Sequence, residues 1–165
     1  MVSHQIDPFE AFMRNHISSV TLFCRATCSD RSIIDDVIQE TFIRAWRYYP
    51  TLRAEHSSKS WLIRICRNVM TDLATKWPQS SPQAHEDLAD STDHFIQSDL
   101  LSLTTALSAE HREVLVLCGL LGYDYETAAE ILELPLGTIR SRLARARDHM
   151  TLLLQESEQC LETGS

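Results

Sequence analysis

Apolar residues recur every three to four positions along most of this chain, the period of a helix that buries one face. Between Pro8 and Cys28 the recurring positions are Phe9, Phe12, Met13, Ile17, Val20 and Cys24, and Pro8 suits a first helical turn. The pattern predicts a first helix there, ending near "CSDRS". A second is expected from Ser32, where Asp35 three positions on makes a capping-box-like start. Ile34, Val37, Ile38, Phe42, Ala45 and Trp46 then keep helical spacing until "YYP" stops the run. The stretch "TLRAEHSSK" has no period and reads as a loop. After a serine cap at Ser57 or Ser58, Trp61, Leu62, Ile65, Cys66, Val69 and Leu73 carry a third helix to Trp77.

The pattern breaks at "PQSSPQAHEDLADSTD", whose prolines, serines and exclusively acidic charges bury too little apolar surface to order themselves. Beyond it four more helices fit: about His94 to Leu107, Ser108 to Leu121, Tyr125 to Leu132 opened by Asp124, and Leu136 to about Leu154. No segment alternates in the manner of a strand, and no repeat of fixed period is present. The expected fold class is therefore all-α, two small helical domains joined by a flexible linker. Residues 1–77 form the first domain, 78–94 an acidic linker, 95–155 the second domain, and 156–165 a frayed, disordered tail.

Composition places these helices in a class. With 165 residues, 44% hydrophobic and 23% charged, the chain suits one ordinary domain or two small ones and reads as soluble and globular. No apolar run reaches the roughly 20 residues that span a bilayer, and "MVSHQIDPFEAF" lacks a secretory signal's charged start and apolar centre. The expected compartment is the cytoplasm, without direct membrane insertion. The five cysteines, Cys24, Cys28, Cys66, Cys118 and Cys160, are odd in number and scattered, and four lie in apolar-periodic segments, as reduced core cysteines do.

Charge changes the picture further. The formal net charge is -8, yet Met1 to Trp77 holds 10 basic and 8 acidic residues. Pro78 to Asp99 holds 5 acidic residues and none basic, and Leu100 to Ser165 holds 5 basic and 10 acidic. Four of those five cations, Arg140, Arg142, Arg145 and Arg147, fall on the last helix. Assigning about 100° per residue, Ile139, Leu143, Ala146, Met150 and Leu153 share one arc of roughly 80° that must face the core. The opposite arc is Arg140, Ser141, Ala144, Arg145 and Asp148, bordered by Thr138 and Arg142 on one side and Arg147 on the other.

A short helix, the turn "ELPLG" and a longer helix are the layout of a helix-turn-helix. Arginines fork onto guanine edges or phosphates, serine and threonine bond to either, and a small residue lets a helix sit close in a major groove. The alternative is a solvated basic face. Against it, the two preceding helices and the turn hold Glu110, Glu113, Glu126, Glu130 and Glu133, and segregating charge in this way costs self-repulsion unless a polyanion answers it.

Two blocks of residues resemble a known family. "ALSAEHREVLVLCGLLGYDYETAAEILELPLGTIRSRLARAR" resembles the promoter-binding region 4 of bacterial extracytoplasmic-function (ECF) sigma factors, within the sigma-70 superfamily. The matching core is Pro135, Gly137, Thr138, Ile139, Arg140, Ser141, Arg142, Leu143, Arg145, Ala146 and Arg147. "DDVIQETFIRAW" resembles region 2.2 of the same family, and "SWLIRICRNVMTDLATK" the adjoining segments that melt the promoter and read its -10 element. The blocks stand in the family's order, and the resemblance covers roughly Pro8 to Leu154.

The resemblance implies three sets of residues. Asp36, Gln39 and Glu40 would bind the clamp coiled coil of core RNA polymerase, and their spacing leaves an acidic, hydrogen-bonding patch beside the stripe of Val37, Ile38 and Phe42. The loop from Leu52 to Lys59, with Arg53, His56 and Lys59, would grip an extruded -10 base, with Trp61, Arg64, Arg67 and Asn68 on or beside the strand-reading surface. By spacing alone Trp61 fits either the core or a stacking platform. Thr138, Arg140, Ser141, Arg142, Ala144, Arg145 and Arg147 would read the -35 element. The family's glycine and following aromatic in the loop are Ala54 and Ser58 here, its turn glycine is Glu133, and Ala144 stands where histidine or an aromatic is frequent.

The expected partners are thus core RNA polymerase, promoter DNA and an anti-sigma factor, with no small-molecule substrate and no cofactor. Cys24 and Cys28 at i, i+4, with His16 nearby, do not make the two separated ligand pairs of a zinc site, and no metal is expected. His4, His56, His85, His94, His111 and His149 are dispersed. No phosphate-cradling loop, nucleophile elbow or kinase signature occurs, so the chain is not expected to be an enzyme. The competing readings are a sigma-like decoy or adaptor that sequesters an anti-sigma factor without initiating transcription, a stand-alone helix-turn-helix repressor, and a metal sensor.

Overall fold

A computed structural model of the chain describes residues 7–52, 57–76 and 103–162. Every regular element among the described residues is helical. The chain divides into two compact units, with the boundary between Pro82 and Gln83.

The first unit is built on three helices, α1 (Pro8–Thr27), α2 (Ile34–Tyr48) and α3 (Ser58–Lys76), each packed on the other two. Asp7 starts α1, its carboxylate accepting from the Phe9 amide at 2.9 Å, with Pro8 in the first turn as expected. The α2 start differs from the expectation at Ser32. Asp30 caps a 3-10 turn over Arg31–Ile33, accepting from both the amide and the hydroxyl of Ser32 at 3.0 and 2.6 Å, and α2 follows directly from Ile33 with no side-chain cap bond of its own. An ionised carboxylate is the stronger acceptor, so it takes the role from the serine hydroxyl. Asp35 and Asp36 occupy the first turn of α2, where negative charge opposes the positive end of the helix dipole. Ser57 stands just before α3, and its carbonyl accepts from the Trp61 amide at 3.0 Å.

The core of this unit is Phe12, Val20, Phe23 and Cys24 from α1, Ile34, Val37, Phe42 and Ala45 from α2, and Leu62, Ile63, Cys66 and Val69 from α3. Thr41 is buried among them with its hydroxyl donating to the Val37 carbonyl at 2.6 Å. Two expected stripe members face outward instead: Ile17 is 41% exposed and Trp46 61%. On α2 the buried positions Val37, Thr41, Ala45, Ile34 and Phe42 centre on an arc about 110° from Trp46, and on α1 Phe12 and Phe23 pull the arc away from Ile17. Phe23 and Ile63, outside the expected stripes, are completely buried.

The second unit holds α4 (Ala109–Leu115), α5 (Tyr125–Leu132) and α6 (Leu136–Glu162). Only Leu103 to Leu107 of the helix expected from His94 lies among the described residues, and the linker 78–94 lies outside them. Arg112 of α4 is buried and donates to the carbonyls of Thr104 (2.9 Å), Thr105 (3.0 Å) and Leu107 (2.8 Å), satisfying the acceptors that end the preceding segment. The helix expected over Ser108 to Leu121 is not uniform: after Leu115 it widens to a π-helical turn over Val116–Leu120, closed by the Leu121 amide on the Val116 carbonyl at 2.9 Å. Gly122, at φ 72, then reverses the chain.

Asp124 opens α5, accepting from the Thr127 amide at 2.7 Å. Glu133 ends it in the left-handed conformation, φ 56 and ψ 44. Pro135 precedes α6, and its carbonyl accepts from Thr138 and Ile139. Ile139, Leu143 and Ala146 are buried with Val114, Val116, Leu117, Ala128, Ile131 and Leu132, so α6 packs on both α4 and α5. The helix does not fray near Leu154; it runs on to Glu162, through most of the stretch expected to be a disordered tail.

Candidate functional site

The outward side of α6 begins with the burial of Ile139, Leu143 and Ala146, which fixes the helix's rotation. Arg140, Ser141, Ala144, Arg145, Arg147 and Asp148 are consequently exposed, and Thr138 is half-buried. The Ser141 hydroxyl donates back to the Thr138 carbonyl at 3.1 Å, a local bond that leaves its oxygen able to accept. Arg142 is placed differently from its neighbours. Its side chain is 21% exposed and its Nη2 lies 3.0 Å from Glu110 Oε2 on α4, so it braces α6 against α4. The cationic face is therefore Arg140, Arg145 and Arg147, around the small Ala144, without an acidic residue nearer than Asp148 on the helix itself.

In the first unit, Asp36 and Gln39 are exposed on α2, and Glu40 is half-buried. Glu40 accepts from Arg44 Nε at 2.8 Å, while Arg44 Nη1 reaches Asp72 Oδ2 on α3 at 2.6 Å. The two carboxylates, Glu40 first, hold the Arg44 guanidinium above its ordinary pKa. Sequence reasoning missed this clamp because Asp72 is 28 positions away. It also missed the apolar part of the same face: Asp36, Gln39, Ile43 and Trp46 recur at i, i+3, i+7 and i+10, and Ile43 and Trp46 are both exposed. That spacing was the available signal. Beside the clamp, Glu40, Arg44, Arg47, Tyr48, Ile65 and Asn68 line an open cleft of about 470 Å³ between α2 and α3.

On α3, Arg64 and Asn68 are exposed one turn apart, Arg67 and Lys59 are half-buried, and Asn68 reaches the cleft. Arg53 and His56 lie outside the described residues. Trp61 is half-buried, its ring edge-on to Phe12 at 6.2 Å. Phe12 also meets Tyr49 at 5.1 Å and His16 at 4.6 Å, so one aromatic cluster takes in Tyr49 ahead of the loop and Trp61 beyond it. His16 Nε2 lies 3.4 Å from the Ser58 hydroxyl, and burial, then the nearby Lys59 ammonium, lower the pKa of its imidazole. The histidine packs into this aromatic cluster, and no group of three metal-ligating side chains occurs among the described residues.

The second unit carries the helix-turn-helix layout with exposed arginines on its second helix, and comparison with known proteins fixes the class. Residues 12–78 match the family profile of sigma-70 region 2, and residues 97–150 that of sigma-70 region 4. The chain is 40% identical over 163 residues to the probable RNA polymerase sigma-C factor of Mycobacterium bovis and to the ECF RNA polymerase sigma factor SigC of Mycobacterium tuberculosis, spanning 94% of this chain and 86% of theirs. It belongs to the ECF sigma factors of the sigma-70 superfamily.

Among solved structures, the sigma factor RpoE of Bartonella quintana, in complex with the anti-sigma factor NepR, superposes with a TM-score of 0.76 at 28% identity, covering 89% of this chain and 96% of that one. CnrH, solved with the cytosolic domain of CnrY, superposes at 0.69 and 25% identity over 90% and 88% of the two chains. The protein is thus a transcription initiation factor, not an enzyme, that works with core RNA polymerase and promoter DNA. No helix among the described residues is long and apolar enough to cross a membrane.

Proposed function

We propose that the outward face of α6, Arg140, Ser141, Ala144, Arg145 and Arg147 with Thr138 at its edge, enters the major groove at the -35 element. Arg142 supports that helix through Glu110. The observation that carries this reading is the burial of Ile139, Leu143 and Ala146 directly beneath three exposed arginines. Guanidinium forks suit guanine edges and phosphates, and the three arginines outweigh the single carboxylate, Asp148, that shares their face.

The face of Asp36 and Gln39, with Glu40 held by Arg44, docks on the clamp coiled coil of core polymerase. The surface of Lys59, Arg64, Arg67 and Asn68, together with Arg53 and His56 of the adjoining loop, handles the opened -10 strand; Trp61 buttresses it through Phe12. Residues 1–77 and 95–155 act as the two promoter-reading domains, with 78–94 as the linker between them. An anti-sigma factor holds the protein inactive in the cytoplasm; the solved complex of a similar sigma factor with the anti-sigma factor NepR supports such a partner.

Run-off transcription with purified core polymerase on DNA from the source genome tests this. Start sites should map downstream of a shared -35 motif, and Arg145→Ala should weaken initiation from it by about 1 to 3 kcal/mol while promoters that lack the motif are unaffected. An unchanged promoter profile removes Arg145 from base reading. A chain that binds an anti-sigma factor yet never starts a transcript is a decoy instead.

A further inference from the structure

Cys24 on α1 and Cys66 on α3 stand 42 positions apart in sequence, yet both are completely buried and their sulfurs are 3.2 Å from each other. A disulfide needs about 2.05 Å, so roughly 1.2 Å of closure separates this thiol pair from a covalent bond. The surfaces assigned above to promoter and polymerase use neither sulfur. Both thiols are free. Nearby, the half-buried Cys28 has its sulfur 3.2 Å from the Asp30 carbonyl oxygen, which it engages as donor.

We propose that Cys24 and Cys66 are a peroxide-oxidisable pair whose reversible disulfide staples α1 to α3 inside the folded unit. One thiolate attacks the O–O bond of a hydroperoxide, giving a sulfenic acid and releasing hydroxide or alkoxide. The second thiol attacks that sulfenic sulfur, the S–O bond breaks, and the departing hydroxide takes the proton to leave as water. With hydrogen peroxide the balance is two thiols and one peroxide to one disulfide and two waters. Each sulfur loses one electron, and the peroxide gains two.

Geometry decides the consequence. Because the sulfurs already touch across the α1–α3 interface, bonding them asks little movement of Phe23, Leu62, Ile63 and Val69, which surround the same core. Oxidation therefore stabilises this unit rather than unfolding it. The bond to Cys66, then burial, keep the Cys24 thiol protonated, so the reaction is slow and proceeds as the α1–α3 seam opens transiently. Cross-linking across 42 positions removes conformational freedom from the unfolded chain, which is the source of the gain.

The experiment uses the full chain, exposed to hydrogen peroxide and mapped by mass spectrometry of non-reduced peptides. The expected result is a linked peptide joining Cys24 to Cys66. Trp46, Trp61 and Trp77 are the chain's only tryptophans, so their fluorescence follows the first unit's unfolding. Its midpoint should rise by on the order of 10 °C on oxidation and return with dithiothreitol. Cys28→Ser should keep that rise and Cys66→Ala should abolish it. Where Cys66→Ala fails to fold, the map of the unmodified chain decides alone. Linkage through Cys28 or Cys118, accumulation of sulfinic acid without a linked peptide, or a lowered midpoint would each overturn the inference.

Discussion

Glu133 holds φ 56 and ψ 44 at the turn between α5 and α6, a conformation in which a side chain's Cβ crowds the carbonyl oxygen. The turn tolerates it because the Glu133 and Leu134 amides both close on the Ala129 carbonyl, the latter at 3.0 Å. Glu133→Gly should relieve the crowding at some cost in unfolded-chain entropy, a net gain of about 0.5 to 1 kcal/mol for the second unit, measured by urea unfolding of the two proteins side by side. A loss would mean that the glutamate side chain contributes more than its backbone costs. The strain at Glu133 was legible only through the family resemblance, which places a glycine at this turn position where the chain has Glu133. Arg112 and Arg44 were not. Both act on groups that only the folded chain brings within reach, the carbonyls of Thr104 to Leu107 and the carboxylate of Asp72, and nothing in local spacing announces such partners.

At the scale of elements, the boundaries rest on caps that behave as charges. Asp124 is exposed, and the Thr127 amide it accepts from holds its carboxyl below the ordinary value. A depressed folded-state pKa adds stability above the unfolded value and forfeits it as pH falls through the folded one. Asp124→Ala should therefore lower the second unit's thermal midpoint at pH 7, and the difference between variant and parent should shrink as pH falls through the depressed carboxyl pKa, as followed by far-UV circular dichroism across a pH series. A constant difference at all pH values would assign the effect to packing. Periodicity located α1, α2, α3, α5 and α6 because each buries one continuous stripe. It misjudged stripe edges, placing Ile17 and Trp46 inside, since a residue about 60° or more from the stripe's centre is buried or exposed according to which neighbour happens to cover it. It also took α6 to stop where its apolar pattern thins, whereas the backbone hydrogen bonds continue to Glu162.

For the whole molecule, a net charge of -8 opposes association with DNA, and the arginines of α6 work against that background. Binding by the polymerase-bound protein should weaken with salt as phosphates exchange counterions for these arginines. Arg147→Ala, at the edge of the exposed face, should lower the slope of log K against log salt by about 1 and leave the ranking of promoters unchanged. Filter binding across a salt series checks it; a changed ranking with an unchanged slope would make Arg147 a base reader instead. The same contrast explains why overall composition was a poor guide to function here: the acidity lies in the linker, in the helices ahead of α6 and toward the C-terminal end of α6 itself, and only its uneven placement carried information.

The widened turn at Val116–Leu120 holds one amino acid more than a regular coil of the same rise would need. A chain built this way has slack at one known place. Excising Gly119, which is exposed and carries no side chain into the core, should let the ladder relax to ordinary pitch with Arg112 and the buried Val114 still anchored. The same excision at Thr127 or Ala144 would rotate every later side chain by about 100° and turn buried residues to water. Single-residue deletion scanning, scored by soluble yield, should therefore find a tolerant island at this turn with intolerant ground on both sides.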